Sequence, residues 1–404
     1  MKSRRYYLVL AIVSFKFVLD FFVPARDVSF VAFNGMFALL LLILRPRLHL
    51  NRRLVMAATL VTVFLVLQLC RDPANPIAYK LLTLPALSVL MYGVGRELDE
   101  TVALRLFRML TVEFLVFFSA NYGLSVAMGL TKDREFWNFE HPNLLGSYVL
   151  VMLIPVNYVL MRGSPRSNAL LRAIFVAIAY LTTSTGALLL SMAVYMKARG
   201  FKVKHVLTLV ASAGIFFAVG MAVLGALDRT VYDKIAAPFL VIYSGGWDRL
   251  VQAAQNGGGM TYLSSEQQGS FTWRIYSYLV YTFYVVKQDS MAMLFGNGIG
   301  GYVKVWNGAM PHNDFILLLV DFGVVSFISV VWLSVHLIRK VALCAPAWLF
   351  VILVLLLRLT GENNIYSYYL VSHAVIFSSL IAGVEMRRDR REASGAAGFS
   401  YLPA

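Results

Sequence analysis

The sequence predicts an all-α fold, a polytopic membrane helix bundle of about twelve transmembrane helices with one long outward-facing loop that contains short helices. Three observations carry this. Of the 404 residues, 59% are hydrophobic and 14% charged, with a mean hydropathy of +0.70, which is too apolar for a set of soluble domains. The apolar runs recur at close to the length that crosses a hydrocarbon core, roughly 20 residues each. The Lys and Arg residues behind the net charge of +15 sit in short clusters between those runs, which is the pattern of orientation signals and not of a nucleic-acid surface.

Residues Met1–Arg5 are basic and lead into Tyr6–Val23, which has no small-residue cleavage site and therefore reads as the first span and not as a signal peptide. Val28–Leu44, Leu54–Cys70, Ile77–Val94, Met109–Met128 and Asn143–Met161 follow. Leu170–Thr182 and Ala187–Met196 are short, and form either two spans or one re-entrant hairpin; as a pair they leave later orientations unchanged. Val206–Leu224, Phe315–Leu337, Ala347–Leu359 and Tyr369–Val384 complete the set. With the N-terminus inside, the cytoplasmic segments hold about twice as many Lys and Arg as the outer ones, which places both termini in the cytoplasm. The chain then divides into helices 1–9 over residues 1–224, a large outer loop over 225–311, helices 10–12 over 312–386 and a cytoplasmic tail over 387–404 that reads as disordered. Cys70 and Cys344 fall near opposite faces, which excludes a disulfide between them.

The connection from Gly225 to Pro311 is long enough to be functional in its own right. Its segment FTWRIYSYLVYTFYVV (Phe271–Val286) is too dense in aromatic rings for a flexible linker and predicts an interfacial or re-entrant helix. The segment FGNGIGGY (Phe295–Tyr302) is glycine-rich but opens no nucleotide-binding helix, so it reads as a turn.

Of the six histidines, His49, His205 and His336 lie at the cytoplasmic face and His373 inside the last span, leaving His141 and His312 outside. His312 is the stronger catalytic candidate. It stands at the start of the tenth helix, where Asn313 or Asp314 can cap exposed amides. The helix dipole disfavours an imidazolium there while Asp314 favours one, and a neutral imidazole is a general base near neutral pH. An interfacial histidine bonded only to water is the plainer alternative.

Arg274 lies in the aromatic helix, and its planar fork suits phosphate oxygens, although a solvated loop charge is the simpler role. Arg358 sits inside an apolar helix and needs a partner, for which Asp321, about 10 Å below Asp314 by helical rise, is the first choice and Glu113 or Glu362 are others. Lys16 and Asp20, spaced i and i+4, pair with each other. The outer His and carboxylate residues lack metal-ligand spacing, so the site calls for no metal or cofactor.

With these residues in place, HNDFILLLVDFGVV, in which nine residues separate Asn313 from Gly323, resembles the histidine motif of the O-antigen ligase and polymerase (Wzy/WaaL-like) superfamily of glycan-assembling membrane proteins. The upstream order is similar: HPNLLGSY (His141–Tyr148), TSTGALLL (Thr183–Leu190), Arg274, then FGNGIGGY. The resemblance covers roughly Asn138 to Ser326. It implies an undecaprenyl-pyrophosphate-linked donor, transfer outside the cytoplasmic membrane and an inverting, metal-independent mechanism. His312 would deprotonate an acceptor sugar hydroxyl and Arg274 would bind the pyrophosphate. Asn313, Asp314, Arg358, Arg249 and His141 complete the candidate substrate-binding set.

Two departures stand out. Ligases of this family commonly carry an arginine after the serine of the segment that here reads Ser184-Thr185-Gly186-Ala187, so a second cation for the pyrophosphate is missing there; Arg358, Arg249 or Lys132 are substitutes. Ser326 replaces a Gly or Thr frequent in ligases. The missing arginine and the His-Asn-Asp form favour a polymerase of repeat units over a ligase to lipid A-core or protein. A polysaccharide transporter or flippase is a third alternative, but the inverted repeats and broken mid-membrane helices it would show are not evident. Carrier-linked glycans as donor and acceptor, membrane lipid, a chain-length regulator and a flippase are the implied partners, with no nucleic acid.

Overall fold

A computed structural model describes residues 2–44, 52–133, 135–139, 142–162, 165–182, 184–198, 246–256, 270–305, 310–344 and 346–398. Among these residues the chain forms α-helices α1 (Lys2–Phe22), α2 (Arg26–Leu44), α3 (Arg52–Arg71), α4 (Pro76–Gly95), α5 (Glu100–Ala127), α6 (Pro142–Leu160), α7 (Pro165–Leu181), α8 (Thr185–Ala198), α9 (Gly246–Gln255), α10 (Ser270–Lys287), α11 (Ser290–Phe295), α12 (Asp314–Cys344), α13 (Pro346–Leu359) and α14 (Tyr368–Gly398). Their only β-type feature is an isolated bridge between Phe136 and Phe139. Five of these helices, α3, α4, α6, α12 and α14, are long and apolar enough to cross a membrane. The expected ninth span, Val206–Leu224, lies outside the described residues.

The chain divides into two compact units, Met1–Ser191 with Asn364–Ala404, and Met192–Asn363. In the first, α6 is the hub. Its residues from Leu145 to Leu160 are buried on almost every side, as an apolar helix surrounded by others must be. By contrast α3 exposes Leu60, Val63 and Leu67, a surface suited to lipid. Helix α4 packs closely on α14 because Gly95 and Gly383 carry no side chain: a Cβ on Gly95 would stand 2.2 Å from the Leu380 carbonyl oxygen.

Connections of the first unit gather at two ends. At one, Asn138 donates to the carbonyls of Asp20 (2.7 Å) and Val23 (2.9 Å), Arg26 donates to the Asn138 carbonyl, Lys80 pairs with Asp27 (2.6 Å) and Tyr368 meets Asn34 and Thr83. At the other, Arg162 pairs with Glu100 (2.5 Å) and Glu385 (2.6 Å), and Arg387 with Asp99 (2.6 Å). This sorting is what an alternating succession of helices requires. The Arg387 pairing and the alanine-rich stretch beyond it also account for a correction: α14 continues as helix to Gly398, where the sequence reads as a disordered tail.

Two upstream motifs prove to be one packing unit. Ser184 donates to Asn143 Oδ1 at 2.9 Å, and a Cβ on Gly146 would stand 2.8 Å from that of Ala187. The segments HPNLLGSY and TSTGALLL thus meet across α6 and α8. The i, i+4 pair forms as expected, with Lys16 Nζ 2.8 Å from Asp20 Oδ2 and both side chains buried. In the second unit, α9 lays Leu250, Ala253 and Ala254 on Tyr276 and Val280 of α10. Helix α12 packs against α10, α11 and α13.

Candidate functional site

The site is built on α12, and α12 is built around a break. Gly323 takes φ +74°, a conformation that favours glycine, and interrupts the helix about two and a half turns after its start at Asp314. The carbonyls released by the break are taken up by the glycine-rich turn: Asn297 N–H donates to Val320 O (3.0 Å) and Gly298 N–H to Asp321 O (2.8 Å). The Asp321 carboxylate accepts from the N–H groups of Gly300 and Tyr302, each at 3.0 Å. Residues Phe295–Tyr302 are therefore the counterpart of the helix break. This corrects the expectation for Asp321, whose carboxylate organises the turn: helical rise says how deep a side chain lies, not which loop comes to meet it.

With the first turns of α12 held in this way, Asn313 caps the helix, accepting from Phe315 N–H (2.9 Å) and Ile316 N–H (3.2 Å). Its own N–H donates to Asn363 Oδ1 at 3.2 Å. His312, immediately before the cap, has φ +51°, uncommon for a non-glycine residue. Tyr278 helps to hold it there: the hydroxyl donates to the Thr360 carbonyl at 3.0 Å and stands 3.2 Å from that of His312. The Trp273 ring meets the imidazole edge to face, with centroids 4.8 Å apart.

Three chain segments converge on one carboxylate. Glu362, in the turn after α13, places Oε1 2.9 Å from Arg274 Nη2 and Oε2 3.3 Å from His312 Nδ1. The carboxylate is buried at 5% side-chain exposure, whereas Arg274 and His312 are open at 30% and 29%, so the two reactive groups face outward from an anionic floor. Burial opposes ionisation of Glu362. The hydrogen bond from His312 and the charges of Arg358 and Arg274 outweigh that penalty and hold the carboxyl below its ordinary range. An ionised carboxylate only accepts, so Nδ1 carries the proton and the basic lone pair of the neutral ring lies on Nε2.

Arg358 and Asp314 are both buried, and Arg358 feels the charges of Glu362, Arg274 and Asp314. The structure thus brings His312, Asn313, Asp314, Arg274 and Arg358 into one neighbourhood. Arg249 is not among them; it stands exposed on α9, one position before the buried Leu250. His141 lies outside the described residues. Sequence reasoning assigned Glu362 only as an alternative partner for Arg358 and passed over Asn363. The available signal was the polar run Gly361-Glu362-Asn363-Asn364 directly after the apolar α13.

Compared with known families and curated proteins, the sequence matches no family model and no curated protein.

Proposed function

We propose that this chain is an integral-membrane glycan polymerase that joins undecaprenyl-pyrophosphate-linked oligosaccharide repeat units at the outer face of the bacterial cytoplasmic membrane, with both termini in the cytoplasm. The observation that carries the proposal is the single buried carboxylate of Glu362 shared by His312 and Arg274. In this mechanism the acceptor sugar hydroxyl gives its proton to His312 Nε2 as its oxygen attacks the anomeric carbon of the donor. The bond from that carbon to the pyrophosphate oxygen breaks on the opposite face, which inverts the anomeric configuration. Glu362 stabilises the imidazolium that forms, the role a carboxylate takes behind a catalytic histidine. Arg274 commits one of its five donors to Glu362, leaving its fork available to the departing pyrophosphate. A pyrophosphate is already a good leaving group, so positioning and charge supply most of the rate.

A second reading is favoured by Arg358. The cation missing after Ser184 has a substitute within electrostatic reach of Arg274, and two cations on the pyrophosphate suit a ligase that transfers finished glycan to lipid A-core or to a protein. Both reactions use the same base and the same leaving group. Purified protein incubated with undecaprenyl-pyrophosphate-linked repeat units tests the proposal: polymer on the carrier supports it, and absence of any new glycosidic bond overturns it. A flippase that supplies the carrier-linked units and a chain-length regulator are the partners this reaction would engage.

A further inference from the structure

We infer that the first unit holds a second ligand site, a cavity of about 500 Å³ that takes a phosphate joined to a polyol or sugar. The volume is in the range of small-molecule pockets. Its residues come from α1, α2 and α4, from the start of α6 and the segment before it, and from the start of α14 and the turn before it, and none belongs to the His312 cluster.

The floor is a buried ion pair. Lys16 Nζ lies 2.8 Å from Asp20 Oδ2, and Tyr148 donates its hydroxyl to the same carboxylate at 3.0 Å, with His373 Nε2 2.9 Å from that hydroxyl. A buried pair is costly to desolvate, and ionisable groups within an apolar bundle mark functional cavities. Above it, the Arg26 guanidinium lies 4.5 Å from the Tyr369 ring and 5.3 Å from that of Phe139. Its hydrogen bonds go to the carbonyls of Asp20 and Asn138, and among the described residues no carboxylate forms an ion pair with it. Lys80 stands at the rim, paired with the exposed Asp27 at 2.6 Å, and Glu135 is exposed nearby. Phe30, Phe136, Tyr366 and Tyr368 supply apolar walls.

This combination selects the ligand. A neutral sugar would offer no charge to the Arg26 guanidinium, whose hydrogen bonds go to backbone carbonyls. A bare inorganic anion would leave the aromatic walls unused and would face the Asp20 carboxylate. A phosphate held by Arg26 and Lys80, with hydroxyls reaching the Lys16–Asp20 pair and ring or chain carbons against the aromatic faces, engages both cations, the buried pair and the walls, with the exposed Glu135 left to solvent. Such chemistry occurs in a soluble sugar phosphate and in an anionic polyol lipid headgroup.

Calorimetric titration of the full chain in phosphatidylcholine nanodiscs, with glucose 1-phosphate, glucose and inorganic phosphate, tests the site. Glucose 1-phosphate is expected to bind about tenfold or more tightly than either fragment, and Arg26→Gln and Lys80→Gln each to weaken it by about tenfold, the worth of one charge-assisted contact. Lys80 is a rim residue, so Lys80→Gln keeps the test valid if Arg26→Gln fails to fold. In phosphatidylglycerol nanodiscs, a fall of about tenfold or more in apparent affinity assigns the site to the lipid headgroup, and an unchanged affinity to the soluble ligand. No binding in phosphatidylcholine, equal binding of inorganic phosphate, or unchanged affinity in the folded variants overturns the inference.

Discussion

His312 and Glu362 are 50 positions apart in the chain and 3.3 Å apart in space, Nδ1 against Oε2. Because Glu362 is held ionised, this contact fixes which imidazole nitrogen carries the proton and points the basic one away from the carboxylate. Replacing His312 with Ala removes the base while leaving the Asn313 cap in place. Glycan transfer in His312→Ala is expected to fall by about 10²-fold to 10⁴-fold, with membrane insertion and amount of protein unchanged. Wild-type product yield from this variant would remove His312 from the mechanism.

Arg274 should discriminate charge from geometry. Lys keeps the positive charge but loses the planar fork, so Arg274→Lys is expected to impair turnover and Arg274→Ala to impair it further, each by at least about tenfold. The measurement is initial rate at saturating donor. Full activity in both variants would show that this guanidinium serves only as a counter-charge to Glu362.

The carboxyl of Glu362 gives the site a pH dependence of known sign. Its folded-state value lies below the ordinary carboxylate range, so its contribution to stability is fully present above the unfolded value of about 4.3 and is lost as pH falls through the lower folded value. Thermal unfolding midpoints taken from neutral pH into acid should therefore decline more steeply for the wild type than for Glu362→Gln in that window. Parallel curves would mean that the carboxylate gains nothing from Arg274, Arg358 and His312.

The parts of the site that were legible in the sequence are those encoded locally. Asn313 as a cap follows from an Asn at the start of an apolar run, and the helix over Phe271–Val286 from the density of its rings. Lys16 and Asp20 pair because four residues bring two side chains onto one helical face. Glu362 was hidden because a lone carboxylate at a helix end resembles any interfacial residue, and only tertiary packing brings residues 274, 312 and 362 together. Asp321 misled for the same reason. Its partners are backbone amides of a turn some twenty positions upstream, and amides leave no mark in residue identity.

That turn makes a stability prediction. A Cβ on Gly323 would lie 2.3 Å from the Leu294 carbonyl oxygen, and the residue's φ of +74° is strained for any other side chain. Gly323→Ala is expected to destabilise the second unit by roughly 2 kcal/mol or more, read as a lowered unfolding midpoint in detergent. Gly35 is the control: it is exposed within α2, and a Cβ there meets nothing within 4 Å. Gly35→Ala should be neutral or slightly stabilising, by up to about 1 kcal/mol. Equal midpoints for the two variants would show that the break at Gly323 is not needed to seat the turn.

The last prediction separates polymerase from ligase, and it follows from what each acceptor requires. A polymerase must hold two carrier-linked glycans, one offering its pyrophosphate-linked end and the other a sugar hydroxyl, so it needs sugar-binding surface beside the base. Trp273 against the imidazole and Tyr278 beside it place aromatic surface there. A ligase meets only one carrier and needs firmer control of its pyrophosphate, for which Arg358 is the available second cation. In an O-antigen host, deleting a polymerase should leave single repeat units on lipid A-core, whereas deleting a ligase should leave the core bare and long chains on the carrier. Arg358→Gln sharpens the contrast. If Arg358 grips pyrophosphate, the variant should lose transfer by about tenfold or more with the fold retained, and complementation of the deletion strain should fail in the same pattern as the deletion itself. A bare core with polymer on the carrier would replace the polymerase assignment by the ligase one. Single units on the core, restored to long chains by the wild-type chain and not by His312→Ala, is the outcome expected.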